Sequence, residues 1–169
     1  GRTFIEPDQG IRDFGVKIKL NPTRRAVEGK RLVLVDDSVV RGTTSKKIVK
    51  VLRRYGAKEI HFRVASPPII DSCHYGIDTP NREKLIAANK DLDDIRQYIG
   101  ADSLAYLPIE GLIEATGLPR DEFCLACFNR NYPTPKPTDY EAHHHAHTRY
   151  VDMNAQLYGA RTDDGGSLF

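Results

Sequence analysis

The run from residue 32 to residue 44 constrains this chain more than any other part of its sequence. It begins with alternating Leu and Val, reaches the adjacent acids Asp36 and Asp37, and continues through a loop around Gly42. After this loop, apolar side chains at 48, 49, 51 and 52 follow the spacing of a helix. The sequence therefore predicts a buried strand over residues 31–37 and a helix over residues 43–55. Residues 36–44, between the strand and the helix, are called the acidic loop below.

The acidic loop combines the groups that bind phosphate at the start of a helix. A helix start leaves about four backbone N–H groups without partners and carries roughly half a positive charge. Ser38, Thr43 and Thr44 can add hydroxyl donors, and Gly42 has no Cβ to keep a phosphate away from the backbone. The loop therefore predicts a phosphate site.

Asp36 and Asp37 point to a more specific ligand, because carboxylates repel phosphate. They suit sugar hydroxyls, or a Mg²⁺ ion that bridges to further phosphates. The chain has neither a Walker loop nor the three-glycine dinucleotide fingerprint. The simpler alternative is a strand whose acids only cap the next helix. Two acids, a glycine and paired threonines together favour a phosphorylated sugar as the ligand.

The acidic loop closely resembles the phosphoribosyl pyrophosphate (PRPP) motif of the type I phosphoribosyltransferases. Further segments narrow the resemblance to the amidophosphoribosyltransferase family, which is also called glutamine PRPP amidotransferase. They lie in one order at residues 1–7, 15–20, 65–69, 73–78 and 124–128. The resemblance runs from residue 1 to about residue 133. It implies an α/β protein with part of the type I phosphoribosyltransferase fold, a parallel sheet flanked by helices.

The resemblance also implies a reaction. Ammonia released from glutamine displaces pyrophosphate at C1 of PRPP, which gives 5-phosphoribosylamine and glutamate in the first step of de novo purine synthesis. Arg2 and Lys19 are the implied catalytic residues, on a lid over residues 1–20 that closes on PRPP. Asp36 and Asp37 would also hold Mg²⁺. The implied PRPP-binding residues are Asp36, Asp37, Ser38, Val39, Val40, Arg41, Gly42, Thr43 and Thr44.

The three cysteines, Cys73, Cys124 and Cys127, allow several interpretations. Spacing alone ranks a zinc site first, because a redox pair would need to follow a strand and open a helix, and a cytoplasmic disulfide is unusual. The family resemblance instead implies a [4Fe–4S] cluster, whose fourth ligand lies outside this chain.

Composition excludes several other classes of protein. The chain has 25 Lys and Arg residues against 23 Asp and Glu residues, and no basic stripe that would suggest nucleic acid. It has no apolar run of about 18 residues and no visible signal peptide, so we expect a cytoplasmic protein without a membrane span. Two rival functions stay open: another type I phosphoribosyltransferase, and a non-catalytic regulator that senses PRPP.

The predicted organisation is one partial domain followed by a tail. Residues 1–133 form the C-terminal part of a phosphoribosyltransferase domain, with a PRPP-binding βαβ unit at 31–65 and a helical, cysteine-bearing region at 66–133. Residues 134–169 are predicted to be disordered, and a histidine run at 143–147 is expected to be solvated. We expect the chain to be a fragment that is inactive alone, and the full-length protein to be a homo-oligomer.

Local signals complete the predicted elements. The strand after the first helix should be parallel to the strand before it. The further elements are a strand over 59–65, a helix over 81–89 capped by Asn81, a helix over 92–99 capped by Asp91, a strand over 103–107, and a helix over 108–116 with Pro108 as its first residue and Gly117 at its end.

Overall fold

The computed structural model describes residues 22–135. The predicted lid with Arg2 and Lys19, and the predicted tail from residue 136 onward, lie outside the described residues. The strands are β1 (Arg31–Asp36), β2 (Glu59–Val64) and β3 (Ser103–Tyr106). The helices are α1 (Arg24–Val27), α2 (Thr43–Arg54), α3 (Ile86–Asn89), α4 (Leu92–Ile99), α5 (Ile109–Thr116) and α6 (Ala126–Asn129), with short 3₁₀ turns at Arg82–Lys84 and Arg120–Glu122.

The three strands form one parallel sheet in the order β1-β2-β3. Asp36 is paired with Val64, which is paired in turn with Tyr106, so the carboxyl ends of all three strands lie at one edge. The predicted parallel βαβ unit and the α/β fold class are confirmed. The loops that follow the strands therefore meet at that edge, where α/β proteins bind their ligands.

One face of the sheet carries the core. Ile60 and Phe62 of the central strand are fully buried, and Val49 of α2 and Ile95 and Ile99 of α4 belong to the same cluster. Of the apolar stripe predicted for residues 43–55, Val49 is buried in this cluster and Leu52 packs against it. Burial of such side chains supplies most of the stability of a domain, at about 25 cal/mol per Å² of apolar surface.

The prediction that β1 is a buried strand is wrong. Its residues alternate between exposed and half-buried, and Val33 and Val35 are 67% and 65% exposed. The reason is that β1 is an edge strand of the described sheet, and the helices of residues 22–135 cover only the face that carries Leu32 and Leu34. Because Leu and Val are both apolar, this alternation in exposure is not visible in the residue types.

The predicted helix over residues 81–89 is also wrong as a single element. Asn81 makes no side-chain cap, and Leu85 is extended, which separates the 3₁₀ turn from α3. The Asn89 side-chain amide donates to the carbonyls of Arg82, Glu83 and Leu85 and ties the two pieces together.

The other boundaries agree with the prediction to within one or two residues. Asp91 caps α4 by accepting from the Asp94 N–H at 2.8 Å, as predicted. Pro108 is the N-cap of α5 rather than its first residue, and Gly117 ends that helix in a left-handed conformation. Among the helices of residues 22–135, none has the length and apolar character needed to cross a membrane.

Candidate functional site

The acidic loop begins where β1 ends, at the ligand-binding edge of the sheet. Asp36 is the last residue of β1, and its carbonyl accepts a hydrogen bond from the Ala65 N–H at 2.9 Å, just beyond the end of β2. This bond fixes the position of the Asp36 backbone against the neighbouring strand. Asp36 therefore lies at the carboxyl end of a parallel strand, with Asp37 next to it, as the sequence predicts.

The two acids of the loop interact with each other. The Asp37 N–H donates to Asp36 Oδ1 at 3.1 Å, and the Ser38 hydroxyl donates to Asp37 Oδ1 at 3.0 Å. Burial, and then the charge of Asp37, raise the pKa of the Asp36 carboxyl, and the hydrogen bond from Asp37 only partly offsets them. A divalent cation or hydroxyl donors would therefore stabilise the pair, because they would offset the negative charge.

The start of α2 provides the donors for an anion. Gly42 is the N-cap, with a φ of 71° that favours glycine, and no side-chain cap or acidic residue occupies the first turn. Thr43 is exposed and Thr44 is half-buried. The Lys46 ammonium, one turn along, lies 4.3 Å from the centre of the Tyr98 ring. The start of α2 therefore offers backbone N–H groups without a side-chain cap, and its first turns carry threonine hydroxyls and the charge of Lys46.

Residues distant in sequence hold the acidic loop in this conformation. The Ile86 N–H donates to the Val40 carbonyl at 2.9 Å. A Cβ on Gly42 would lie 2.7 Å from Ile86 Cδ1 and 3.2 Å from Tyr98 Cε1. Ile86 and Tyr98 are not among the predicted site residues, because they lie on later helices and no local motif marks them.

The remaining predicted site residues differ in what they can offer a ligand. Val39 is 2% exposed and its side chain is part of the core, so only its backbone is left for ligand contact. Arg41 is exposed beside Gly42. Arg2 and Lys19 lie outside the described residues.

A second candidate site contains the cysteines. The carbonyl of Cys127 accepts hydrogen bonds from the N–H groups of Ile70 and Asp71, at 2.9 and 3.1 Å. These bonds bring the segment that carries Cys73 against α6. Burial, and then the charges of the nearby Cys73 and Cys124, raise the pKa of the Cys127 thiol to about 11. Residues 70–75 and 124–134 together are called the cysteine region below.

The structure brings the three cysteines into one region. Within residues 22–135, however, no set of three or more His, Cys, Asp or Glu side chains has the geometry to hold one metal ion. The described part of the chain therefore shows no preformed metal site at the cysteines, which favours neither zinc nor a cluster. Cys124 is exposed and borders a cleft of about 440 Å³, which Arg120, Phe123, Asn129 and Pro133 also line.

The chain resembles one group of known proteins over most of its length. It is 60% identical over 139 residues to amidophosphoribosyltransferase 2, chloroplastic, of Arabidopsis thaliana, a match that covers 82% of this chain and 25% of that protein. It is 53% identical over 138 residues to the amidophosphoribosyltransferase of Bacillus subtilis, which covers 79% of this chain and 29% of that protein. No protein-family model matches.

The structural comparison gives the same result. The B. subtilis glutamine PRPP amidotransferase, solved in complex with ADP and GMP, superposes with a TM-score of 0.69 at 52% identity. The match covers 82% of this chain and 31% of that structure. The fold is therefore that of part of a type I phosphoribosyltransferase. Over the matched residues the chain is a homologue of the amidophosphoribosyltransferases, and it spans about a quarter to a third of the length of these relatives.

Proposed function

We propose that this chain carries the PRPP-binding part of an amidophosphoribosyltransferase, which transfers ammonia from glutamine to C1 of PRPP. The observation that carries the proposal is the acidic loop itself. Its two interacting carboxylates lie at the end of a parallel strand, and the loop continues into a helix start without a side-chain cap. The 50–60% identity to proteins of that name over most of the chain supports the same activity. The product would be 5-phosphoribosylamine, at the first step of purine biosynthesis.

The proposed substrate contacts follow the chemistry of the loop. The start of α2, with Gly42, Thr43 and Thr44, would bind the 5-phosphate through N–H and hydroxyl donors. The carboxylates of Asp36 and Asp37 would accept hydrogen bonds from the ribose hydroxyls and hold Mg²⁺ on their remaining oxygens. Mg²⁺ is commonly bound by one or two carboxylates together with substrate phosphates and water. The remaining proposed PRPP-binding residues, Ser38, Val39, Val40 and Arg41, would contribute through their backbone or through exposed side chains.

Cleavage of the bond between C1 and pyrophosphate develops negative charge on the leaving group. Bound Mg²⁺ would offset this charge as a Lewis acid. As the family resemblance implies, Arg2 and Lys19 would assist in stabilising the leaving group from a lid over residues 1–20. The role of Asp36 is to stay ionised when substrate is bound, because its charge then meets the cation and the hydroxyls.

The cysteines form the second part of the proposal. Cys73, Cys124 and Cys127 would supply three ligands of a [4Fe–4S] cluster, with the fourth outside this chain. The backbone hydrogen bonds that hold the segment of Cys73 against α6 support this assignment. Domain limits are proposed as predicted, with PRPP binding at 31–65 and the cluster within 66–133. A homo-oligomeric assembly is also proposed.

Calorimetry of PRPP binding in the presence of Mg²⁺ tests the substrate assignment. The double variant Asp36→Asn/Asp37→Asn should lower the affinity at least tenfold, since each lost charge-assisted contact is worth about 1.5–3 kcal/mol. The matched control is Asp93→Asn/Asp94→Asn, which removes two adjacent acids of α4. Equal affinity of both variants for PRPP would contradict the proposal.

Product analysis separates this enzyme from its two rivals. The purified protein, in the longest form that its gene encodes, is incubated with PRPP, Mg²⁺ and ammonia, glutamine or free nucleobases. Pyrophosphate release with ammonia or glutamine alone is expected. Release only with a base would indicate another type I phosphoribosyltransferase, and tight binding without release would indicate a regulator.

Metal analysis of anaerobically purified protein tests the cluster. Iron and sulfide in equal amounts, with a brown absorbance, are expected. One zinc per chain would contradict the proposal.

The compartment is a separate proposal. The Arabidopsis relative is named chloroplastic, whereas the B. subtilis relative carries no such word in its name. We propose the cytoplasm for this chain, as the sequence predicts. Fractionation followed by immunodetection tests this, and recovery in plastids would contradict it.

A further inference from the structure

The two segments of the cysteine region come from distant parts of the chain. Asp71 and Arg130, which are 59 positions apart, lie between them, and Arg130 Nε donates to Asp71 Oδ2 at 3.3 Å. Asp71 lies two residues before Cys73, and Arg130 lies three residues after Cys127. This contact is the ion pair that joins the segment bearing the single cysteine to the segment bearing the cysteine pair.

Asp71 is placed as a buried anchor. Its side chain is fully buried, whereas the Arg130 side chain is 41% exposed. Asp71 Oδ1 accepts from the Ser72 N–H at 2.9 Å, and the Asp71 N–H donates to the Cys127 carbonyl. A buried carboxylate is unfavourable unless a cation and hydrogen bonds compensate it. Separation of the two segments would remove Arg130 from the buried carboxylate, so the ion pair favours the state in which the segments are in contact.

The backbone of Arg130 indicates that its side chain matters. Arg130 ends α6 with a φ of 64°, and within residues 22–135 no other residue apart from glycine has a positive φ. Glycine would occupy this conformation without a Cβ penalty. An arginine here accepts a strained conformation and directs its guanidinium to Asp71.

Other contacts follow the same line between the segments. The Tyr132 hydroxyl donates to the Ser72 carbonyl at 2.6 Å, and the Tyr132 ring packs against His74 at 4.9 Å between centroids. The hydroxyl groups of Tyr75 and Thr134 share a hydrogen bond, with 2.9 Å between the two oxygens. The charged pair thus lies at one end of this line of contacts, where the Asp71 N–H also meets the Cys127 carbonyl.

We propose that Asp71 and Arg130 are positioning residues that hold Cys73 against Cys124 and Cys127, so that the three thiols can act as one ligand set. The inference rests on the proposed cluster for its purpose, and on the contacts above for its geometry. The pair does not bind iron itself. It limits how far the two segments can separate when the site is empty.

The test measures thiol proximity and cluster content separately. Metal-free protein, in the longest form that its gene encodes, is treated with a short dimaleimide, and cross-links between Cys73 and Cys127 are quantified by peptide mass spectrometry. Arg130→Gly relieves the backbone strain and removes the cation, so it should lower the cross-link yield at least threefold. Arg130→Lys should restore part of the yield. Asp71→Asn, which keeps an acceptor for the Ser72 N–H, should behave like Arg130→Gly.

The matched control is Arg120→Gly. Arg120 is an exposed arginine in the same part of the chain, and its ion pair with Glu110, at 3.6 Å, does not join the two segments. Calorimetry of PRPP binding on every variant verifies that the acidic loop is intact. Equal cross-link yields for Arg130→Gly and Arg120→Gly would overturn the positioning role.

Iron and sulfide are then measured on the same variants after anaerobic purification and exposure to a chelator. Arg130→Gly should lose iron at least threefold faster than Arg120→Gly. If the unsubstituted protein holds no iron while its cross-links still depend on Arg130, the cluster proposal fails and the positioning role stands. If the unsubstituted protein holds iron but its cross-links do not depend on Arg130, the positioning role fails and the cluster proposal stands.

Discussion

The acidic loop and the cysteine region are built in opposite ways. The loop is a continuous stretch, and its ligand groups follow one another between β1 and α2. The cysteine region joins two segments through contacts such as those of Asp71 with Arg130 and of Ser72 with Tyr132. A continuous site depends on its backbone conformation, whereas an assembled site depends on the contacts between its parts. Substitutions should therefore act through strain and packing in the first region and through single polar contacts in the second.

The largest expected effect is at Gly42 in the acidic loop. Gly42→Ala would place a methyl group 2.7 Å from Ile86 Cδ1 in a left-handed conformation. The two penalties together should lower the free energy of unfolding by roughly 2–5 kcal/mol. Gly29→Ala is the matched control, because Gly29 has a φ of +69° and no atom within 4 Å of the added Cβ. It should cost only about 1–2 kcal/mol. Equal losses in urea unfolding would mean that Ile86 and Tyr98 do not hold the loop.

The next effect concerns the anchor of the loop in the core. Val39→Ala removes two buried methyl groups and leaves a cavity, so we expect a loss of about 2 kcal/mol. Val33→Ala makes the same change at a side chain that is 67% exposed and should stay within about 0.5 kcal/mol. A large loss at Val33 would show that the open face of β1 is covered in solution.

A smaller effect is expected in the cysteine region. Tyr132→Phe removes the hydrogen bond to the Ser72 carbonyl and should cost about 0.5–1.5 kcal/mol. Tyr75→Phe removes a hydroxyl from a side chain that is 43% exposed, with an effect of at most about 0.5 kcal/mol. Thermal unfolding of both variants measures the difference. If Tyr132→Phe cost as much as Gly42→Ala, the contrast between the two regions would disappear.

The smallest effect has the opposite sign. The folded-state pKa of Asp36 lies above its ordinary value of 3.8, so stability is lost as the pH rises from that value through the folded-state pKa. Without Mg²⁺, Asp36→Asn should therefore raise the free energy of unfolding at pH 7, on the order of 0.5 kcal/mol, and leave it unchanged at pH 3. The same variant should lose PRPP affinity.

The control for the predicted increase in the free energy of unfolding is Asp93→Asn, for which a decrease is expected. Hydrogen bonds from Arg96, and then from Gln97, lower the pKa of Asp93, so its charge stabilises the fold above the unfolded-state pKa. Its replacement should reduce stability at pH 7. A stability gain for Asp93→Asn, or a loss for Asp36→Asn, would contradict the electrostatic account of the acidic loop.

The elements predicted from sequence succeeded where one local signal was enough. The strand predicted over residues 31–37, the helix after Gly42 and the cap at Asp91 all depend on neighbouring residues. The structure confirms them, with the strand ending one residue earlier, at Asp36. The predicted helix over residues 81–89 failed because the extended backbone of Leu85 interrupts it. The prediction that β1 is buried failed because burial depends on which elements cover the sheet. An apolar run can occur in a strand that is covered on one face or on both, so it does not distinguish the two cases.

By itself, the sequence determined the order of strand, acidic loop and helix, because each signal and its effect lie within a few residues. The sequence also determined the resemblance of the acidic loop to the PRPP motif, which suggested PRPP as the ligand. Only the tertiary structure decided that Ile86 supports Val40, and that Asp71 meets Arg130 beside the cysteines. Such contacts join positions far apart in the chain, and they form only when the sheet and its helices have packed. No local pattern of residue types carries that information.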